Sequence, residues 1–277
     1  MKKWTEGQKF FAVFDGMNDL VNYCRAAPQG KHFTSRDSHE TDDSSWNGTA
    51  KYEDADVLAL EGWQEGYEKI KAALPDIKVK PTAQNRKHNE RIMVEGFVPC
   101  VPRAIEGHPE SMFNAVQIPY KHKVINMVIN VSASCSYSAE QLTRRGGFVA
   151  RLIDEIEAKG FRINLWVAEG ASNGDQTTCY MVRIKNSTEH LSLKRIVYPI
   201  GHPSMLRRHL FRVLESLDVS SGWNWGYGRP RDEPVTEYCK KNFDAYLFIP
   251  SINTVNVDSD YTTYMEKVFK LNDFKLA

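Results

Sequence analysis

Apolar and polar positions split the chain into a loosely patterned first part and a regular second part. A buried-strand run, VINMVINV, starts the regular part after Lys123 and leads to LTRRGGFVARLIDEIEAKG. There Leu142, Val149, Leu152, Ile153 and Ile156 recur on one helical face. Ahead of it Ser138-Ala-Glu-Gln141 forms a capping box, the Ser hydroxyl accepting from the Gln141 amide while the Gln side chain reaches back. Gly160 ends the helix as a left-handed cap. FRINLWVAEG and CYMVRIKN follow as strands, a hairpin or neighbours. SMLRRHLFRVLESLD reads as a second helix, capped by Ser204 behind Pro203, with Met205, Leu206, His209, Leu210, Val213, Leu214 and Leu217 as its apolar stripe. A third helical turn or two, a last strand in FDAYLFIPSI and a short helix in YTTYMEKVFKL close the chain. This order predicts an α/β fold, a partly parallel sheet with helices on its faces.

The first part is less regular. Phe10 to Cys24 suits a short strand and a helix, and SRDSHETDDSS (Ser35 to Ser45) reads as a mobile loop without apolar periodicity. EDADVLALEGWQEGYEKIKAALP predicts one amphipathic helix, with Leu60, Trp63, Tyr67, Ile70 and Leu74 inward and Pro75 as its end. Gly62 and Gly66 inside it each cost about 1 kcal/mol relative to Ala. They mark either a closely packed backbone or two tolerated weak points. Short strand-like runs lie at Arg91 to Val94 and Phe97 to Val101. A boundary at Ile118 to Lys121 divides an N-terminal α+β region, residues 1–118, packed on the core, from an α/β domain, residues 119–277.

Hydrophobic residues are 42% of the chain and charged residues 26%, as in ordinary globular proteins. The 36 basic and 35 acidic side chains leave a net charge of +1, so a nucleic-acid surface has to come from local clustering. No signal-peptide pattern and no apolar run of the ~18 residues that would span a membrane is present. The five cysteines are scattered without a CxxC pair, which fits reduced thiols in a soluble, cytoplasmic protein. There is no HExxH, no phosphate-binding glycine loop with Lys and no paired ligand histidines, so neither enzyme chemistry nor a cofactor is expected. Cys135 near a helix N-terminus is a nucleophile candidate whose base, His190, His202 or His209, no local pattern identifies.

The first regular strand ends in Asn130-Val-Ser132-Ala-Ser134. With the order of elements, this resembles a von Willebrand factor A-like domain over residues 121–277. The resemblance implies a central, mostly parallel sheet flanked by helices, and a divalent-ion site at the top of that strand. One position at a time, Asn130 stands where that family has Asp, Ser132 and Ser134 match, and Pro250 and Ser251 stand where a late acid belongs. Magnesium usually needs at least one anionic oxygen, so the site is expected to be degenerate and to hold no metal. Ser132 and Ser134 then satisfy backbone groups at a turn, and Asn130 makes a local side-chain bond.

Three clusters suit nucleic acid. The first includes Arg86 and Lys87, and the second is the helical arginines Arg144, Arg145, Arg207 and Arg208. The third is Gly222 to Arg231, where Trp223, Trp225 and Tyr227 alternate with glycines ahead of Arg229 and Arg231. Cationic grooves follow the phosphates of a single strand while aromatic faces stack its bases, at about 1–3 kcal/mol per base. In size and aromatic character the chain is similar to single-stranded-DNA-binding cofactors of tailed bacteriophages that recruit a phage RNA polymerase for transcription. The expected function is non-enzymatic binding of single-stranded nucleic acid, with such a polymerase or another protein as partner. The alternative is a metal-independent interaction module that docks a protein through Ser132 and Ser134.

Overall fold

The computed structural model describes residues 1–28, 38, 44–73, 88–96, 98–117, 123–217 and 226–272. The chain forms two compact units, Met1–Val79 with Val124–Ala277, and Lys80–Lys123. The first begins with β1 (Lys2–Glu6), β2 (Lys9–Phe14), α1 (Met17–Ala26), α2 (Ser44–Asn47), α3 (Tyr52–Glu61) and α4 (Gln64–Ala73). The small unit contains β3 (His88–Met93), β4 (Val98–Pro99), α5 (Val101–Ile105) and β5 (Met112–Gln117), its strands antiparallel in the order β3-β5-β4. The first unit resumes with β6 (Val124–Asn130), α6 (Ala139–Ala158), β7 (Arg162–Asn173), β8 (Gln176–Lys185) and α7 (Leu193–Gly201). A π-helix (Met205–Leu210), α8 (Phe211–Glu215), β9 (Arg229–Pro230), α9 (Glu233–Asn242), β10 (Tyr246–Ile249) and α10 (Tyr261–Asn272) complete it.

Seven strands form one mixed sheet in the order β1-β2-β8-β7-β6-β10, with β9 paired to the end of β7. β10, β6 and β7 are parallel, as the strand-helix-strand pattern requires, β7 and β8 form the antiparallel hairpin, and β2 is parallel to β8. The N-terminal boundary differs from the sequence reading. Among the described residues, those before Val79 supply two strands and four helices to the main unit, and only Lys80–Lys123 forms a body of its own. Apolar runs show that a segment is a strand but not which distant strand it joins, so β2 beside β8 was illegible. The β10 edge is closed by a side chain: Phe248 N donates to Asn272 Oδ1 at 2.8 Å, and Asn272 Nδ2 donates back to Phe248 O at 2.7 Å.

The sheet's two faces carry separate cores. On one, Met127, Ile129, Leu165, Val167, Tyr180 and Val182 meet α1, α3, α6, α7, the π-helix, α8 and α10. On the other, Phe11, Val128, Ala168, Cys179 and Met181 pack under Val235 and Cys239 of α9. The predicted capping box of α6 is present, Gln141 N to Ser138 Oγ at 3.2 Å and Ser138 N to Gln141 Oε1 at 3.0 Å. The single helix expected over Glu53 to Leu74 is two. Gly62 adopts φ +89° between α3 and α4, and a Cβ there would lie 2.8 Å from Lys194 O. Leu60 is consequently exposed, while Tyr52, Ala55 and Ala59 carry the buried face of α3. Ser38, inside the supposed mobile loop, is buried and bonded to Glu215; the loop's residues 35–37 and 39–43 lie outside the described residues.

α6 and α7 cross at a pair of glycines, where a Cβ on Gly146 would sit 2.6 Å from Gly201 Cα. The neighbour is backbone and cannot rotate away. Gly146→Val is therefore expected to force the helices apart and cost about 1–3 kcal/mol or more, read as a lower urea midpoint with an unchanged slope.

Candidate functional site

At the carboxyl end of β6 the Asn130 amide donates to Arg231 O at 2.9 Å and Asp232 Oδ1 at 2.7 Å, while its oxygen accepts from Ser132 N at 3.1 Å. Ser132, 2% exposed, bonds Asn130 Oδ1 and the Gly170 backbone. Asp232 also accepts from Ser251 N at 2.8 Å and from the Thr254 hydroxyl. The site is therefore not without a carboxylate, as the strand ends suggested. Asp232 comes instead from the start of α9, a different element from the one the resemblance points to. Its oxygens face donors from Asn130 at the end of β6 and from Ser251 and Thr254 after β10, so that with the start of α9 three chain segments are tied together. Among the described residues no group of three or more His, Cys, Asp or Glu side chains is placed to hold a metal ion. Ser132 is too buried to meet a partner, and Ser134 is partly exposed, its amide donating to Asn253 Oδ1 at 3.0 Å.

The helical arginines are corrected by their burial. Arg145, Arg207 and Arg208 are 2%, 2% and 0% exposed and bond the protein's own carbonyls. Arg145 donates to Asn130 O at 2.9 Å and Pro250 O at 2.6 Å, joining the ends of β6 and β10. Arg207 reaches Trp46 O and Tyr137 O at 2.6 and 2.7 Å, with its guanidinium 4.6 Å from the Trp46 ring. Arg208 bonds Thr49 Oγ1, Thr49 O and Ser38 O at 2.8–2.9 Å. None of the three has a face to offer phosphate. The signal lay in SMLRRHLFRVL, where Arg and His are the only strongly polar types after Ser204. A helix apolar all round is an interior helix. Arg144 is exposed, with one guanidinium nitrogen on Ser259 O at 3.2 Å.

The loop cluster fares differently. Trp223 and Trp225, and Arg86 and Lys87 of the first cluster, lie outside the described residues. Tyr227 is not a free stacking platform: its ring lies on Phe211, centroids 3.7 Å apart and nearly parallel, and its hydroxyl donates to Glu215 at 2.6 Å. Arg229 and Arg231 are exposed on β9 and just after it. They line a groove of about 600 Å³ with Ser172, Asn173 and Gly174 of the β7–β8 hairpin tip and with Gly226 and Gly228. Gly228, at φ +83°, turns the chain into β9, and Gly170 admits Arg231 O where a Cβ would be 2.4 Å away. Arg231 Nε donates to Ser172 Oγ at 3.1 Å; among the described residues neither arginine forms an ion pair, and the Arg229 side chain has no hydrogen-bond partner.

Two buried features complete the picture. His209 Nε2 meets Asp56 Oδ1 at 2.9 Å, its Nδ1 meets Tyr198 OH at 2.9 Å, and Tyr198 OH leads through Ser204 Oγ to His202 Nδ1. Burial lowers the pKa of His202 to about 4 and that of His209 in the same direction. Both are committed to this chain, whereas Cys135 is exposed and, among the described residues, hydrogen-bonded to neither. On the sheet face opposite α9, Glu169 is 2% exposed and, among the described residues, its Oε2 lacks a hydrogen-bond partner. Burial raises its pKa to about 8, with the nearby Thr178 hydroxyl opposing the shift.

The fold and its groove define a mixed α/β domain with a polar, arginine-walled cleft at one end of its sheet. Residues 3–275 match the family described as a domain of unknown function (DUF7192), and the chain belongs to that family. No curated protein and no solved structure matches it. Among the described residues no helix is long and apolar enough to cross a membrane.

Proposed function

We propose that the protein is a non-enzymatic binder of single-stranded nucleic acid whose backbone runs along the groove between the β7–β8 hairpin tip and β9. The observation that carries this reading is the pair of exposed arginines, Arg229 and Arg231, on one wall of a groove of about 600 Å³ with, among the described residues, no carboxylate paired to either. An exposed guanidinium without an acid partner presents a fork that matches phosphate oxygens. Hydroxyl, amide and glycine backbone groups on the facing wall add contacts that do not depend on base sequence. The likeness to phage cofactors supports a use for the bound strand, which is to bring an RNA polymerase to it. Docking through the top of β6 has less support, because Ser132 is enclosed.

Fluorescence anisotropy with a labelled oligothymidylate tests the reading. Binding is expected to weaken steeply with salt, and Arg229→Ala with Arg231→Ala is expected to flatten the log–log slope by about 0.7 per phosphate contact removed. Arg208 is no part of this surface and serves no purpose in the comparison. Absence of binding at low salt, or unchanged binding by the double variant, defeats the proposal.

A further inference from the structure

The two outer edges of the main sheet are treated differently. At β10 the Asn272 side chain takes up the outward N–H and C=O of Phe248, in the middle of the strand, where a neighbouring strand would bond. At β1, among the described residues, β2 is the only neighbour, and Lys2, Lys3, Thr5 and Glu6 are exposed. An open strand edge is a template for another strand.

The hairpin turn fixes which backbone groups are free. Gly7-Gln8 joins β1 to β2 as a two-residue loop, with Glu6 opposite Lys9 and Gly7 at φ +61°. Residues flanking such a loop form a hydrogen-bonded pair, and bonded and non-bonded pairs alternate along the ladder. Glu6, Trp4 and Lys2 therefore bond to β2, and the N–H and C=O groups of Lys3 and Thr5 point away from the sheet.

We propose that β1 pairs antiparallel with β1 of a second copy of this chain, about a twofold axis at Trp4, so that two sheets continue into one. The strand Lys2-Lys3-Trp4-Thr5-Glu6 is self-complementary in that register. Lys3 faces Thr5 of the second copy, which are the residues whose backbone groups are free. Trp4 faces Trp4 at a non-bonded position, where cross-strand side chains come closest. Lys2 faces Glu6 at both ends, and no directly opposed pair carries like charge. Lysines commonly guard an edge against pairing; here Glu6 of the second copy, whose Oε1 already accepts from its own Lys241 at 2.9 Å and from Trp4 Nε1 at 3.1 Å, sets an exposed carboxylate opposite the one at position 2. Trp4 is already oriented for this contact, since its ring lies stacked on Phe11, 5.1 Å between centroids and 11° between planes. With Phe248 of β10 blocked by Asn272, β1 is the open outer edge of the main sheet among the described residues, which yields a closed dimer with isologous contacts instead of an extending fibre.

Sedimentation velocity over a concentration series tests this with three variants. Thr5→Pro removes a donor that β2 does not use, so it is expected to abolish the dimer while the variant keeps the circular-dichroism spectrum and cooperative unfolding of a folded chain. Lys2→Glu alone and Glu6→Lys alone each place like charges opposite one another and are expected to be monomeric. An equimolar mixture of those two variants restores opposite charges at both ends and is expected to dimerise, which a misfolded variant would not do. A monomeric wild-type protein across the series, a dimer that survives Thr5→Pro, or a mixture that stays monomeric overturns the proposal. Each readout is independent of nucleic-acid binding.

Discussion

Glu169→Gln is expected to make the protein more stable at neutral and alkaline pH and to remove a loss of stability that the wild type shows as pH rises towards 8. The carboxyl has an ordinary value of 4.5 and is raised by burial to about 8. The folded state thus holds a proton that the unfolded chain releases. Its contribution is complete below about 4.5 and is lost as pH climbs through about 8. His202 works in the opposite sense: lowered from 6.5 to about 4, it adds stability as pH rises across that interval. His209 is lowered in the same direction. The clean window is therefore between 6.5 and about 8, where linkage at about 1.4 kcal/mol per pH unit amounts to about 2 kcal/mol. Gln keeps the shape and neutrality of the protonated acid. Calorimetric scans across the window should show a falling melting temperature for the wild type and a flatter one for the variant. Equal slopes would mean that Glu169 enters the fold ionised.

The second large effect is expected at Arg208. Truncation to Ala strips donors from Thr49 Oγ1, Thr49 O and Ser38 O inside the core and leaves a cavity where a side chain with no exposed surface had been. Each buried acceptor left unsatisfied costs about 1–3 kcal/mol, and the void adds to this. A loss of at least about 3 kcal/mol follows, enough to remove a large part of the stability of an ordinary domain. Arg208→Lys is expected to recover little, because an ammonium cannot span a fork that reaches two separate segments. Chemical denaturation compares the three proteins. A near-wild-type midpoint for Arg208→Ala would return this residue to the surface.

Much of the second half of the fold was legible because its signals are local. Ser138 and Gln141 announce the start of α6, Gly160 its end, and alternating apolar residues mark the hairpin β7–β8. The first half was harder because its decisive contacts are distant. Gly62 looked like a weak point inside one helix, yet its positive φ separates two, and the reason is Lys194 far along the chain. α7 escaped notice because Pro199 lies inside it. The reading of Arg145, Arg207 and Arg208 as surface groups failed in an instructive way. Arginines on a helix are usually solvated, and nothing in Arg207 or Arg208 by itself says otherwise; only the lack of any other polar face does. Asp232 was passed over because it stands at the start of a helix instead of at the end of a long apolar strand. Its role depends on α9 starting beside the end of β6, a tertiary fact.

The pairing of β2 with β8 has a consequence for how the chain reaches its structure. Lys9 lies beside Thr177, and the two strands run parallel with more than half the chain between them. During synthesis the apolar run Phe10–Phe14 emerges well before β8 and has no sheet to join until β8 has followed. Pairing over so long a separation is slow. The β1–β2 hairpin is thus made well before the strand it joins and is among the last elements to be seated, and until then FFAVF is an exposed, strand-forming segment that depends on chaperones or on speed to stay unaggregated.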